Sequence, residues 1–455
     1  MSLGPHRRAP ARCHFVPPYL LEQIGLSASL GVDIDAAVVD SAERSLSIDR
    51  ELRAEREITA GSDQPHVVAT DAAWVVHSAD NTTALPGRRR RAEGEPSTGD
   101  PAVDEAAVGG AGALALFREV YGRDSFDDAG AEVVMTVHYG RDYDNAFWNG
   151  TQLVFGDGDG RLFDRFTKPV DVLGHELTHA VTEHTAGLVY RNQPGALNES
   201  MSDVFATCAK QRMLGQDVTQ GDWLIGAGLF LPGVAARGLR DMANPGTAYD
   251  DPALGKDPQA GHMDGYVDTT SDNGGVHLNS GIPNRAFYLA ATAVGGTSWE
   301  GAGRIWYAAL TGPDVGPTTD FAGFAAATVA VAGEHAAAVG EAWRTVGVAV
   351  GAPASPASAT DELPQGAALV TVRRSGGFAG RSIQGTVDLA GLDPRAGEVR
   401  SLVDRIDLAQ AERGDPHPDG FVYDFCVCGA EPVPVPEQHL TDELRRLADL
   451  VLGRG

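Results

Sequence analysis

"DVLGHELTHAVTEHTAGL" occupies residues 171–188 of a 455-residue chain and holds three histidines and two glutamates within ten positions, 175 to 184. Val172, Leu173, Leu177, Ala180 and Val181 recur near the helical period with no proline between them, so the stretch is expected to be a helix. His175 and His179 stand four apart and share one helix face, which lets both imidazoles meet a single zinc ion. His184 lies five beyond and drifts off that face. Glu176, one residue past the first histidine, is angled away from direct ligation but near enough to touch a metal-bound water. It is a candidate general base. Two histidines at this spacing also occur as ordinary core or surface residues, so a third ligand has to decide between the readings.

Catalytic zinc takes three protein ligands and leaves one position for water, His₂Glu being one known set. "GALNESMSDVFA" supplies Glu199, twenty residues past His179, on a second expected helix that a turn containing Pro194 and Gly195 folds back against the first. Asp203 follows four residues later on the same face, a spacing suited to a carboxylate that accepts the free ring N–H of a ligand histidine. A solvated helix face is the plain alternative for Glu199 and Asp203. Two helices with matched spacing weigh against it.

The chain carries 62 acidic against 36 basic residues, a formal net charge of −26. That balance repels nucleic acid and anionic membranes; the run RRRR at 88–91 is the exception and reads as a solvated loop. No segment offers about eighteen uninterrupted apolar residues, and the N-terminus lacks an apolar run of signal-peptide length. Four sparse cysteines (Cys13, Cys208, Cys426 and Cys428) fit a reducing compartment, so a cytoplasmic location is expected, with release by a non-classical route left open. Cys13 beside His14 is either a plain thiol or a ligand that masks a metal in a precursor.

Strand-like runs such as "EVVMTVHYG" and "TQLVFGDGDG" precede the metal helix, and broad apolar helical faces follow it, from "ALNESMSDVFATCAKQRML" to "AAATVAVAGEHAAAVGEAWRTVGV". The first fifty or so residues join a "VPPYLLEQI" segment to a polar, Arg- and Glu-rich stretch and read as an appendage, not a core domain. Residues 351–366 are Pro-, Ala- and Ser-rich and read as a linker. Beyond them a small module mixes strands ("ALVTVRRSGGFAG", "FVYDFCVCG") with helices ("EVRSLVDRIDLAQ", "TDELRRLADLVLG").

"HELTH" and "NESMSD", together with "DYDNAFWNG", "AGLVY" and "DNGGVHLNSGIPNRAF", run in order over residues 70 to 350 and resemble the thermolysin family of metallopeptidases, most closely its protealysin-type branch. The resemblance implies an α+β, two-lobed zincin with a β-rich lobe at 60–190, an α-helical lobe at 191–350 and the zinc site between them. It implies zinc on His175, His179 and Glu199, with Glu176 as general base and proton shuttle. His277, oriented by Asp272, and Tyr190 match the residues that stabilise the oxyanion. Asn145, Ala146 and Arg240 match positions that hold substrate backbone, and Asn198 and Asp203 match partners of the ligand histidines. Phe163, Phe166, Val172 and Leu239 align with the pocket beyond the scissile bond, which implies cleavage on the amino side of apolar residues. The family's double calcium site is expected to be lost: Asp171 and Asp222 remain, but Lys210, Leu224 and Ala227 occupy matching acidic positions, and an ammonium group stands where a hard cation wants oxygen.

"HFVPPYLLEQI" resembles the start of protealysin-type propeptides, implying a propeptide at 1–55 that covers the cleft until cut between about residues 45 and 61. A constitutive docking arm is the alternative. Residues 367–455 resemble emfourin, a small protein inhibitor of such enzymes, which implies an intramolecular inhibitor at high effective concentration. A partner- or substrate-binding module competes with that reading. For the whole chain the rival to a protease is a catalytically idle zinc scaffold, against which the full set of Glu176, Tyr190 and His277 argues.

Overall fold

Short apolar runs bounded by turn residues pair into one sheet, and longer apolar faces pack against it as helices. The structure, a computed structural model, describes residues 13–59, 72–350, 369–376, 383–388, 395–403, 405–406, 421–427 and 433–452. The chain divides into two units, Met1–Pro356 and Ala357–Gly455.

The first unit holds six strands in the order β1 (Cys13–His14), β5 (Ala146–Trp148), β6 (Leu153–Phe155), β4 (Val133–Val137), β2 (Trp74–Ser78) and β3 (Arg88–Ala92). β2, β4 and β6 are parallel, while β1 and β6 both pair antiparallel to β5 and β3 pairs antiparallel to β2. The edge strand β1 is therefore lent by the N-terminal segment. Helices α1 (Pro18–Ser27) and α2 (Ala36–Thr59) follow it. Phe15, Val16, Leu20, Leu21, Ile24, Val38, Ala42 and Leu46 of this segment are buried in the same core as the sheet.

A correction concerns the RRRR run, which is the outer strand β3 and no loop. Each arginine there reaches an acid: Arg88 to Asp80 at 3.5 Å, Arg89 to Glu95 at 2.7 Å, Arg90 to Asp100 at 3.8 Å and Arg91 to Asp104 at 2.8 Å. A charged edge of this kind discourages further strand addition. Helix α3 (Pro101–Tyr121) stands among the strands without a counterpart in the sequence reading. Asp100 caps it by accepting from the Ala102 and Val103 amides, Pro101 takes the first turn, and Gly122 at φ 71° ends it. Its glycines weaken the helical signal, but they permit close packing. A Cβ at Gly109 would stand 2.8 Å from Leu173, and one at Gly110 2.5 Å from the Met135 sulfur.

Helix α4 (Val170–Glu183) is buried from Asp171 to Thr182 and packs on α5 (Asn192–Leu214), where a Cβ at Gly174 would lie 3.0 Å from the Ala206 Cα. Because α5 begins at Asn192, Pro194 and Gly195 lie inside its first turn and not in the connection, which is formed by residues 184–191. The first helical amides have no partner within the helix, so proline is tolerated there. Two small ribbons follow, β7 (Leu224–Ile225) with β8 (Arg240–Asp241) and β9 (Asp250–Asp251) with β10 (Gly255–Lys256). The helical half continues through α6 (Asp272–Asn279), α7 (Gly281–Val294), α8 (Ala302–Leu310), α9 (Phe321–Val331) and α10 (Ala336–Thr345). The apolar segment expected to run on to about residue 348 is broken at Gly333, whose φ is 54°.

In the second unit, β11 (Leu369–Gly376), β12 (Ile383–Asp388), β13 (Phe421–Val427) and β14 (Val433–Pro436) form an antiparallel sheet in the order β12-β11-β13-β14, joined by α11 (Ala396–Val403) and α12 (Asp442–Val451). Val370, Val372, Tyr423 and Phe425 alternate along their strands into a core completed by Leu444 and Leu447. The expected linker at 351–366 and Cys428 lie outside the described residues.

Candidate active site and metal centre

The helical spacing of α4 brings His175 Nε2 and His179 Nε2 to 3.0 Å from each other, and Glu199 on α5 brings Oε2 to 3.5 Å from His175 Nε2 and Oε1 to 3.5 Å from His179 Nε2. All three side chains are buried. His175 Nδ1 faces Asp203 Oδ1 at 2.9 Å, and His179 Nδ1 faces Asn198 Oδ1 at 2.8 Å and Ser202 Oγ at 3.0 Å. These partners orient both rings through Nδ1 and turn the two Nε2 atoms toward one spot. Burial holds the His179 imidazole down to about 3, so it is neutral. At His175 burial is outweighed by Asp203 and Glu199, which lift it to about 9. Burial likewise opposes the charge on Glu199, yet His277, His179 and His175 keep its carboxyl well below the usual range. The spot therefore calls for a cation. One ligand atom from each of the three residues lies within 4.8 Å of the others, so the set fits zinc.

Asp203 is more heavily engaged than its spacing foretold. Beyond His175 it accepts from Arg240 Nε and from a second guanidinium nitrogen, both at 2.8 Å, and from Asn284 Nδ2 at 2.8 Å. Burial opposes its charge, but Arg240 above all brings its carboxyl down to about 2. Glu176 is fully buried, and neither of its oxygens meets a side-chain donor. Burial pushes its carboxyl up to about 8.

Opposite these, α6 opens with left-handed backbone from Asp272 to Gly275. Gly274 is required there, since its φ is 85° and a Cβ would stand 2.0 Å from Asn192 Oδ1. The turn lets Asp272 hold His277 twice, Oδ1 to Nδ1 at 2.6 Å and Oδ2 to the backbone N–H at 2.9 Å. Burial pulls the His277 imidazole down, but Asp272 and Glu199 raise it on balance. Tyr190, in the 184–191 connection, donates to Glu199 and lies 3.2 Å from His277 Nε2.

The N-terminal segment threads this cleft. β1 pairs with β5 so that His14 faces Phe147, and the Phe15 amide then donates to Ala146 O at 3.0 Å. Val16 N donates to Asn145 Oδ1 at 2.8 Å, and Asn145 Nδ2 donates back to Val16 O at 3.2 Å. Arg240 donates to Phe15 O at 3.1 Å, and His277 Nε2 to His14 O at 3.0 Å. The buried Phe15 ring meets Phe166 edge-on at 6.4 Å and His175 at 5.1 Å, with the Arg240 guanidinium 4.9 Å from its centroid. Phe163, Val172 and Leu239 are buried in the same cluster.

Outside the cleft, His184 bonds back to Ala180 O at 2.9 Å, and Glu183 accepts from the Trp148 indole at 2.9 Å. Neither points to the metal spot. At the position expected to have lost calcium, Lys210 Nζ sits 2.8 Å from Asp222 and 3.1 Å from Asp171 and donates to Leu224 O.

Sequence reasoning missed Ser202 and Asn284, which only the folded chain brings to His179 and Asp203. It also missed Ser41, Ser45 and Asp49 on α2. Ser41 donates to Asp144 at 2.7 Å, Ser45 accepts from the Asp144 amide at 2.9 Å, and Asp49 accepts from Tyr143 at 2.6 Å and from Asn145 at 3.1 Å. Their spacing of four along a charged helix was a readable signal.

A buried His₂Glu centre beside a free glutamate, on paired helices below a sheet edge, defines a zinc metallopeptidase. Residues 65–183 match the family described as thermolysin metallopeptidase, catalytic domain, residues 186–348 its alpha-helical domain, and residues 372–452 the emfourin family. The chain is 49% identical over 345 residues to the extracellular metalloprotease of Pectobacterium carotovorum subsp. carotovorum, covering 74% of this chain and 97% of that one. It is 42% identical to protease PrtS of Photorhabdus sp. (strain Az29), covering 74% and 92%. The solved precursor of protealysin, a metalloproteinase from Serratia proteamaculans, superposes with TM-score 0.67 at 46% identity, over 74% of this chain and all of that one. The chain belongs to the thermolysin family of metallopeptidases. It is a zinc metalloendopeptidase of the protealysin-like kind with an emfourin domain at its C-terminal end. Among the described residues no helix is long and apolar enough to cross a membrane.

Proposed function

We propose that the chain is an inhibited precursor of an endopeptidase that cuts on the amino side of apolar residues, and that its N-terminal segment is the inhibitor of its own cleft. The observation that carries this reading is Phe15: a buried apolar side chain beside Phe166, on a main chain held by Asn145, Ala146 and Arg240.

In this reading His175, His179 and Glu199 hold zinc, which when bound supplies an acidified water and polarises the substrate carbonyl. Glu176 takes the water proton and passes it to the leaving nitrogen. His277, oriented by Asp272, and Tyr190 donate to the oxygen on which charge develops. Arg240 and Asn145 fix the substrate main chain, and Asn198 and Asp203 keep the ligand imidazoles in the right tautomer. Lys210 takes the place of calcium between Asp171 and Asp222.

The emfourin domain is assigned the second inhibitory role, acting on the same chain. The site of precursor cleavage falls in the later part of the 45–61 window, because Ser45 is buried against the Asp144 amide. A cytoplasmic location remains part of the proposal, and recovery of the protein mainly from the culture medium refutes it.

Casein digestion by the zinc-loaded chain, before and after limited trypsin treatment, tests the main reading. Activity should appear on treatment, with Leu, Phe or Ile at the new N-termini of the fragments, and Glu176→Ala should abolish it. Equal inertness of both proteins after treatment sinks the enzymatic roles. After trypsin treatment, a version truncated after residue 351 that is no more active than the full chain sinks the role of the emfourin domain.

A further inference from the structure

Inhibitory segments can block a cleft by running backwards, by ligating the metal, or by lying in it as a substrate would. Five main-chain hydrogen bonds fix which applies here. Phe15 N to Ala146 O, Val16 N to Asn145 Oδ1, Asn145 Nδ2 to Val16 O, Arg240 to Phe15 O and His277 to His14 O register the segment one residue at a time. The carbonyl offered to His277 is that of His14, and the side chain in the apolar pocket is that of Phe15. The peptide bond between them lies where the reacting bond of a substrate belongs.

We infer that His14–Phe15 is a cleavage site for the chain's own active site, cut within one molecule, and that the cut leaves the cleft plugged. The inference rests on the proposed endopeptidase reading. Water oxygen bonds to the His14 carbonyl carbon and the C–N bond to Phe15 breaks. Both water protons end on the Phe15 nitrogen, one by way of Glu176, leaving a carboxylate at His14 and an ammonium at Phe15. Neither new end is then free to leave. Phe15 and Val16 continue directly into α1 and α2, which are pinned by Ser41, Ser45 and Asp49. His14 keeps its pairing with β5 and stands 3.4 Å from Asp49 through its Nδ1. A chain beginning at Phe15 therefore remains an inhibited one, and activation requires a separate event further along.

The test follows the metal-free full chain after zinc is added, by intact mass and N-terminal sequencing, at two protein concentrations tenfold apart. A species beginning at Phe15 should form at a rate that does not change with concentration, should be inert toward casein, and should be slowed roughly 100-fold or more by Glu176→Gln. Phe15→Leu should keep the cut and Phe15→Asp should lose it. Hydrogen exchange in the metal-free wild type gives a readout independent of turnover and of the folding of Phe15→Asp. The Phe15 and Val16 amides should be protected, and fast exchange there removes the register and the inference with it. A rate proportional to concentration overturns cutting within one molecule. If trypsin-treated enzyme digests casein but no Phe15 terminus ever forms, this inference fails and the endopeptidase reading stands. If neither reaction occurs, both fall.

Discussion

Replacing Lys210 by alanine should cost the protease unit about 3–5 kcal/mol and make its stability respond to calcium. The magnitude follows from the surroundings of the ammonium group. The Lys210 side chain is 7% exposed and lies between Asp171, which is fully buried, and Asp222, which is 45% exposed. Burial works against its charge, but the two carboxylates outweigh this and hold Lys210 above the usual lysine value. Without the ammonium, Asp171 is a buried anion left with the Gly226 amide at 3.2 Å. Removing one member of a buried pair exposes the full penalty of the other. Asp171 stands in the first turn of α4, so the disturbance falls on the helix that carries His175 and His179. Thermal unfolding should read a fall of about 5–10 °C. Millimolar calcium should restore part of it in Lys210→Ala, where Asp171, Asp222 and the Leu224 carbonyl become hard oxygen ligands, and should leave the natural protein unmoved. A shift below about 1 °C, or stabilisation of the natural protein by calcium, refutes the reasoning.

Asp203→Ala strips His175 and Arg240 of their common partner, and zinc affinity should fall about 10- to 100-fold in competition with a chromogenic chelator. Unchanged affinity would mean that Asp203 serves Arg240 alone. Asp49→Ala should raise the casein activity of the full chain roughly 10-fold or more, because two charge-assisted contacts to Tyr143 and Asn145 are lost. After trypsin treatment the mutant and natural enzymes should be equal, and a difference persisting there would assign Asp49 to folding. His138 is raised to about 9, chiefly by its hydrogen bond to Asp157 and further by Asp100. Its folded value lies above its unfolded one, so its contribution is full below about pH 6.5 and is lost as pH rises through about 9. Urea unfolding at pH 6 and pH 9.5 should show a larger loss for the natural protein than for His138→Gln, and equal losses refute the assignment.

What the sequence made legible is what periodicity can carry. His175, His179 and Glu176 follow from one helix, and Glu199 and Asp203 from the next, because side chains four apart share a face whatever the tertiary fold. Helix α3 was not legible, since glycines that lower helix propensity are there the residues that let it close on Leu173 and Met135. The RRRR run misled for a related reason: four like charges in sequence read as a loop, while Asp80, Glu95, Asp100 and Asp104 neutralise them only once the chain is folded. Tertiary partners are invisible to a window of ten residues.

The N-terminal segment shows the same limit from the other side. Its composition is that of a solvated arm, with charged residues outnumbering apolar ones over much of α2. Yet a few positions, Phe15 and Val16 in the cleft and Ser41, Ser45 and Asp49 along one face, make it part of the protease fold. Each of them is meaningful only against a partner more than ninety residues away, Asn145, Ala146, Asp144 or Tyr143. In the proposed reading two of them, Asn145 and Ala146, are also groups that hold a substrate main chain. On that reading the segment borrows the substrate's own hydrogen bonds, so it needs little sequence of its own to close the site.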